Sequence, residues 1–145
     1  MYLLDTNVVS MLDPARQKYE PALVDWLDRN GTKLFLSVMT ITEMERGVLK
    51  LRREGKIERA AKLSVYVSEV FDDYSDRVLP LDLEAARHLA RLQEETHQQQ
   101  VPLPDLIIAA TAARHDLVVL TRNMKDFGRL SVKAVDPFLE LPEDA

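Results

Sequence analysis

Residues 1–10, MYLLDTNVVS, place a carboxylate directly after a short apolar run. Tyr2, Leu3 and Leu4 predict a buried strand, and the polar residues that follow Asp5 predict the start of a helix. A strand that ends on an acid needs a reason, because a buried carboxylate is costly unless it caps a helix or binds another group. The role of Asp5 therefore depends on which other side chains the fold brings to the end of this strand.

The rest of the chain alternates short apolar runs with amphipathic stretches. Further strands are predicted at 33–38, 78–82, 117–121 and 133–137, and helices at 6–11, 21–31, 40–55, 56–74, 83–100 and 102–116. This alternation is typical of an α/β fold with a mainly parallel sheet and helices on both faces. We expect one domain over residues 1–145, with a frayed acidic tail at 141–145.

The composition excludes several classes of protein. The chain has 145 residues, of which 46% are hydrophobic and 30% charged, so we expect a soluble globular protein. It has no cysteine, which excludes disulfides and thiolate metal sites. We find no signal peptide and no apolar run that could span a bilayer, and we expect a cytoplasmic protein. The net charge of −5 lacks the broad basic footprint of proteins that bind nucleic acid through phosphates, so any such binding would be local.

Three acids are predicted at element ends where an α/β sheet gathers its ligands, beyond the carboxyl ends of the strands. Asp5 ends the first strand, and Glu43 and Asp105 begin helices. Each also has an ordinary interpretation. Asp5 could cap the next helix, Thr40 and Glu43 form a capping-box pattern, and Asp105 after a proline is a common helix-start acid.

Convergence of these acids would require a positive partner, because neighbouring carboxylates repel one another. Carboxylates and amides are hard ligands, so Mg²⁺ or Mn²⁺ is the expected cation. The segment Thr121-Arg122-Asn123 follows another apolar strand and could lie beside Asp5. The histidines are scattered along the chain, and we expect all three at the surface: His88, His97 and His115.

Four stretches together carry a resemblance: LLDTNVVS at 3–10, TITEMERG at 40–47, PDLIIAATAARHDLVVLTRNMKDF at 104–127 and VDPF at 135–138. In this order and spacing the chain resembles PIN-domain ribonucleases, and more narrowly the VapC-type toxins of prokaryotic toxin–antitoxin pairs. The resemblance implies a three-layer α/β/α sandwich around a mainly parallel sheet. It also implies an acidic pocket that holds one or two divalent cations, Mg²⁺ or in its place Mn²⁺, and that hydrolyses RNA phosphodiester bonds.

The resemblance assigns roles residue by residue. Asp5, Glu43 and Asp105 match the three core acids of the family, and the fourth acidic position falls on Asn123, with Asp126 three residues on. Three alternatives stay open: Asn123 takes the acid's place as a ligand, Asp126 reaches into the pocket, or only one ion is held firmly.

Further roles follow from position. Thr6 and Thr121 match hydroxyl positions that either support the acids or contact substrate phosphate. Arg46 and Arg122 are the cations closest in sequence to the proposed ligands and are candidate RNA contacts.

The family also implies partners, namely an antitoxin that blocks the pocket and a second copy of the chain in a homodimer. Apolar residues of the two helices at 45–74 either belong to the core or form a groove for an antitoxin segment: Val48, Leu49, Leu51, Ile57, Leu63, Val65, Tyr66, Val67, Val70 and Phe71.

Two other classes of function compete. A PIN-like domain without catalysis, which binds RNA or a protein, would explain the asparagine at position 123 and the acidic net charge. An aspartyl-phosphate phosphatase is disfavoured, because LLDTN lacks a second aspartate two residues after Asp5.

Overall fold

Five parallel strands form one sheet in the computed structural model, which describes residues 1–16 and 20–144. The strands are β1 (Tyr2–Leu4), β2 (Leu34–Ser37), β3 (Val78–Leu79), β4 (Val118–Leu120) and β5 (Ala134–Val135), in the order β3-β2-β1-β4-β5. β1 is central and pairs with β2 on one side and β4 on the other, with Leu4 opposite Leu120. The carboxyl ends of β1 and β4 therefore open at the same edge.

Helices connect the strands and cover both faces of the sheet. They are α1 (Thr6–Met11), α2 (Pro21–Arg29), α3 (Val38–Arg53), α4 (Ile57–Tyr74), α5 (Leu83–Glu95), α6 (Leu103–His115) and α7 (Met124–Phe127). Successive residues of β1 serve two separate cores: Leu3 packs with α5, α6 and α7, whereas Leu4 packs with α1, α2, α3 and α4. The predicted three-layer sandwich is confirmed.

Among the described residues, none of these helices combines the length and the apolar character that crossing a membrane requires.

The start of α3 differs from the prediction. Ser37, at the end of β2, is the N-cap, and its hydroxyl accepts a hydrogen bond of 3.0 Å from the amide of Met39. Thr40 therefore lies inside the helix, and the predicted capping box with Glu43 is wrong. At the other end the prediction holds, since Gly55 follows the helix with a positive φ of 76°, a conformation that favours glycine.

One helix boundary, two short elements and the C-terminal tail also differ from the prediction. The helix predicted at 83–100 stops at Glu95, and neither α7 nor a short 3₁₀ turn at Gly31–Lys33 was predicted. The tail was predicted to be frayed, but residues 143 and 144 contact the rest of the domain. The Tyr2 hydroxyl donates to the Glu143 carbonyl at 2.8 Å, and the Asn30 amide donates to Asp144 at 3.1 Å. Long-range side-chain contacts of this kind have no local sequence signature.

The apolar residues of α3 and α4 divide between the core and the surface. Val48, Val67 and Val70 are buried, and Leu51, Leu63, Tyr66 and Phe71 are partly buried. Leu49, Ile57 and Val65 stay exposed, at 56%, 61% and 61%. Most of the set thus serves the core, and three side chains are left facing outward.

Candidate active site

Asp5 lies between two strand ends, with only 3% of its surface exposed. Its amide donates to the Leu120 carbonyl at 2.9 Å, which joins it to the end of β4. Its carboxylate accepts two hydrogen bonds of 2.8 Å, from the amide of Thr6 and from the hydroxyl of Thr121. Asp5 is thus also the N-cap of α1, as its ordinary interpretation predicted.

Glu43 reaches the same place from the second turn of α3. The Thr6 hydroxyl lies 2.7 Å from a Glu43 carboxylate oxygen and 3.0 Å from the Thr40 hydroxyl. Because an ionised carboxylate only accepts, Thr6 donates to Glu43 and Thr40 donates to Thr6. This chain of hydroxyls ties α3 to the end of β1.

Asp105 enters from the first turn of α6 and meets Asn123 and Asp126. The amide nitrogen of Asn123 donates to Asp105 at 3.0 Å and to Asp126 at 2.9 Å. The amide oxygen of Asn123 faces away from Asp105, toward the backbone N–H of Asp126, 3.4 Å away at the start of α7. Asn123 therefore presents donors, not a ligand oxygen, to the acids.

Two of the acids have raised pKa values. Burial first, and then the charges of Asp5, Asp126 and Glu43, together raise the pKa of Asp105 to about 7. Burial also raises the pKa of Asp5; the hydrogen bonds from Thr121 and Thr6 oppose the shift, and the Glu43 charge adds to it. Within residues 1–16 and 20–144, no Lys or Arg counts among the groups that perturb either pKa, so this part of the chain leaves the charge of the cluster uncompensated.

Asp5, Glu43 and Asp105 line one open cleft of about 380 Å³. The other residues that line it are Thr6, Asn7, Ser10, Met11, Arg16 and Arg122. The fold therefore brings together the three predicted acids, one predicted hydroxyl and one predicted arginine.

Two residues predicted as possible substrate contacts do not line the cleft. Thr121 has no exposed surface, and its hydroxyl donates to Asp5, which matches the alternative that it supports the acid. Arg46 is exposed on α3 and is not among the residues that line the cleft.

Four polar residues at this site were not predicted, and one of them, Ser10, lines the cleft from α1. Asn7 accepts from the Arg122 amide at 3.1 Å, Arg16 lines the cleft from the turn after α1, and Thr40 is fully buried against Thr6. Asn7 stands in the first motif and could have been noticed there. Arg16 has no local signal, because only the tertiary fold brings its turn to the acids.

The donor set fits a hard divalent cation in its chemistry. All the acids offer carboxylate oxygens, the ligands that Mg²⁺ and Mn²⁺ prefer, and their charges lack compensation. Within residues 1–16 and 20–144, however, no three Asp, Glu or His side chains are grouped as a ready-made metal site. The fit therefore rests on oxygen donors and uncompensated charge.

Comparison with known proteins identifies the family. The PIN-domain profile matches residues 2–133, and the chain belongs to the PIN-domain family, among its VapC-type members. It is 33% identical over 142 residues to toxin FitB of Neisseria gonorrhoeae, covering 95% of this chain and 99% of FitB. It is 34% identical over 143 residues to VapC ribonuclease Y4jK of Sinorhizobium fredii, covering 95% and 98%.

Solved structures agree with this assignment. The chain superimposes with a TM-score of 0.67 on VapBC-5 from Mycobacterium tuberculosis, a member of the VapBC family of toxin–antitoxin systems. The match is 28% identical and covers 92% of this chain and 95% of the other.

Proposed function

We propose that this chain is a divalent-metal-dependent endoribonuclease and the toxin of a type II toxin–antitoxin pair. The observation that carries the proposal is the convergence of Asp5, Glu43 and Asp105 on one cleft of a PIN-domain fold. The names of the relatives, a toxin and a VapC ribonuclease, support the same activity. Mg²⁺ is the proposed metal, with Mn²⁺ able to replace it.

The acids would hold the cation, and the side chains behind them would hold the acids. A bound divalent ion polarises a phosphate and lowers the pKa of a water. Thr121 fixes Asp5, and Thr6 fixes Glu43. Asn123 joins Asp105 to Asp126, so we assign the fourth carboxylate to Asp126 and a bridging role to Asn123.

RNA would be drawn to the cleft by its two arginines. Arg16 and Arg122 line the same cleft as the acids, in a chain whose net charge is −5. Phosphate contacts need such local cations when the whole protein is acidic. Arg46 is left out of the proposed contacts because it does not line the cleft.

The proposal includes protein partners. A cognate antitoxin would block the cleft, since the M. tuberculosis neighbour is a member of a family of toxin–antitoxin systems. The exposed Leu49, Ile57 and Val65 of α3 and α4 offer such a partner apolar contacts. We also propose a homodimer, as the family implies. Its site of action would be the cytoplasm, where cellular RNA is available.

The test is cleavage of total cellular RNA by the purified chain in Mg²⁺, in Mn²⁺ and in EDTA. We expect discrete fragments with either metal and none in EDTA. Asp5→Asn and Asp105→Asn should give no fragments. The matched control is Glu84→Gln, which removes an exposed α5 carboxylate that pairs with Arg87 outside the cleft, and it should cleave like the unaltered chain.

A second function is favoured by one observation. Asn123 stands where the family resemblance predicts an acid, which is consistent with a PIN-like domain that binds RNA or protein without cutting. Thermal unfolding separates the two. Metal at ten times its Kd should raise the stability of a true metal site by about 1.4 kcal/mol, or roughly 4 °C. RNA binding without fragments and without this shift would favour the binding-only function.

A further inference from the structure

Arg122 is held at its backbone and at its guanidinium. Its backbone N–H donates to the Asn7 side chain at 3.1 Å, and its guanidinium carbon lies 4.8 Å from the centroid of the Phe138 ring. The residue is exposed and lines the cleft. A long surface side chain is normally free to move, so two anchors on one arginine give it a defined place at the rim.

Arg122 does not pair with the neighbouring acids of the described residues. Among residues 1–16 and 20–144, no carboxylate oxygen forms an ion pair with Arg122 within 4.0 Å, although four acids lie at or beside the cleft. Nor does Arg122 lower the pKa of Asp5 or Asp105. Stacking on Phe138 holds the guanidinium away from the carboxylates, with its N–H edge available.

Phe138 is itself well anchored. It follows β5 in a turn where its amide donates to the Asp136 carboxylate at 2.9 Å, and the amide of Leu139 donates to the Asp136 carbonyl at 3.2 Å. Its ring also packs on the core that contains Leu4 and Trp26. The ring is therefore a fixed platform.

We propose that Phe138 is a positioning residue: its ring holds the Arg122 guanidinium at the rim of the cleft, where Arg122 binds a backbone phosphate of RNA. A guanidinium stacked on an aromatic face keeps its planar donor edge free, and that edge matches two phosphate oxygens. The proposal deepens the proposed function and rests on it for the identity of the ligand.

The test measures binding of a fluorescein-labelled single-stranded RNA of mixed sequence in EDTA, over a series of salt concentrations. Loss of one phosphate contact should lower the slope of log K against log salt by about 0.7. We expect this loss in Arg122→Gln and in Phe138→Leu, with affinity reduced roughly threefold to tenfold. Phe138→Tyr, which keeps the ring, should bind like the unaltered chain, and so should Arg91→Gln, which removes a cation from the exposed face of α5.

The double variant Arg122→Gln/Phe138→Leu decides between positioning and mere structural support. If Phe138 acts through Arg122, the double variant should bind no more weakly than Arg122→Gln alone. Additive losses, or an unchanged salt slope in Phe138→Leu, would overturn the proposal. Thermal unfolding of each variant identifies any loss that comes from misfolding, and Phe138→Met, which also removes the ring, replaces Phe138→Leu if that variant is unstable.

Failure of this inference can be told apart from failure of the proposed function. Metal-dependent cleavage with no effect of either residue on RNA binding would contradict this inference but leave the proposed function intact. RNA binding that depends on Arg122 and Phe138, in a chain that cuts no RNA, would leave the inference standing. If the two variants weaken only the binding of a protein partner, Arg122 serves that partner and the inference is wrong.

Discussion

The Thr6 hydroxyl has one proton to donate, and two oxygens lie within its reach. Because the Glu43 carboxylate can only accept, the Thr6 proton goes to Glu43 at 2.7 Å, and the buried Thr40 hydroxyl must supply the other hydrogen bond at 3.0 Å. Thr40 thus acts on Glu43 through Thr6, although it has no exposed surface and does not line the cleft. Its effect on activity would be indirect.

Replacing Thr40 by valine keeps its shape and removes its donor. We expect Thr40→Val to slow RNA cleavage roughly tenfold, since a hydrogen bond that orients a charged group is worth about 1.5 kcal/mol. Thr40→Ser keeps the hydroxyl and should restore most of the rate. The measurement is kcat and KM on one cleaved RNA for both variants. Equal rates for the valine and serine variants would mean that Thr40 only fills space.

At the scale of elements, the alternation of apolar runs predicted the sheet and its main helices, and the acids at strand and helix ends predicted the cleft. Both follow from local pattern. The start of α3 was predicted at the wrong residue, because both Ser37 and Thr40 are suitable N-caps in sequence. The N-cap is Ser37 because β2 ends at that residue. Sequence left three alternatives open for Asn123, because its contacts with Asp105 and Asp126 depend on how α6 and α7 meet.

The Ser37 cap connects the fold to the site. Ser37→Ala leaves the Met39 amide without its side-chain acceptor and should lower the free energy of unfolding by about 1 kcal/mol. Because α3 carries Thr40 and Glu43, we expect cleavage to fall severalfold even where the variant is fully folded. Urea midpoints and cleavage rates on the same samples provide the measurement.

A cap of the same type on another helix is the matched control. Asp82 caps α5 by accepting from the Ala85 amide at 2.8 Å, and α5 packs on the opposite face of the sheet. Asp82→Ala should lower the urea midpoint but leave the cleavage rate of the folded protein unchanged. A Ser37→Ala variant as active as the unaltered chain would show that the start of α3 does not set the position of Glu43.

At the scale of the whole molecule, the fold concentrates negative charge at one edge of its sheet, and no Lys or Arg of residues 1–16 and 20–144 compensates it in the pKa shifts of Asp5 and Asp105. Asp5, Glu43, Asp105 and Asp126 come from four separate segments, so their repulsion exists only in the folded state. Arg16 and Arg122 lie at the same cleft but do not lower the pKa of Asp105. Without metal, folding must therefore work against both the burial and the mutual repulsion of these carboxylates. Sequence could not predict the size of the pKa shift of Asp105, because burial is its largest cause.

The raised pKa values of Asp105 and Asp5 make the stability of the metal-free chain depend on pH. The pKa of Asp105 rises from 3.8 to about 7 on folding, so between about pH 4 and pH 7 the folded chain holds more protons than the unfolded chain. Stability should then fall as pH rises through that window, and the raised pKa of Asp5 acts in the same direction. In EDTA we expect Tm to drop between pH 5 and pH 8.

Asp105→Asn should flatten this profile of Tm against pH and melt roughly a few degrees higher than the unaltered chain at pH 8. The control Glu84→Gln should follow the unaltered chain at every pH. Excess Mg²⁺ at pH 8 should recover the lost stability in the unaltered chain and recover much less in Asp105→Asn, because the cation replaces the proton as the partner of this carboxylate. A profile that is the same with aspartate and asparagine at position 105 would mean that the cluster carries no repulsion for a metal to relieve.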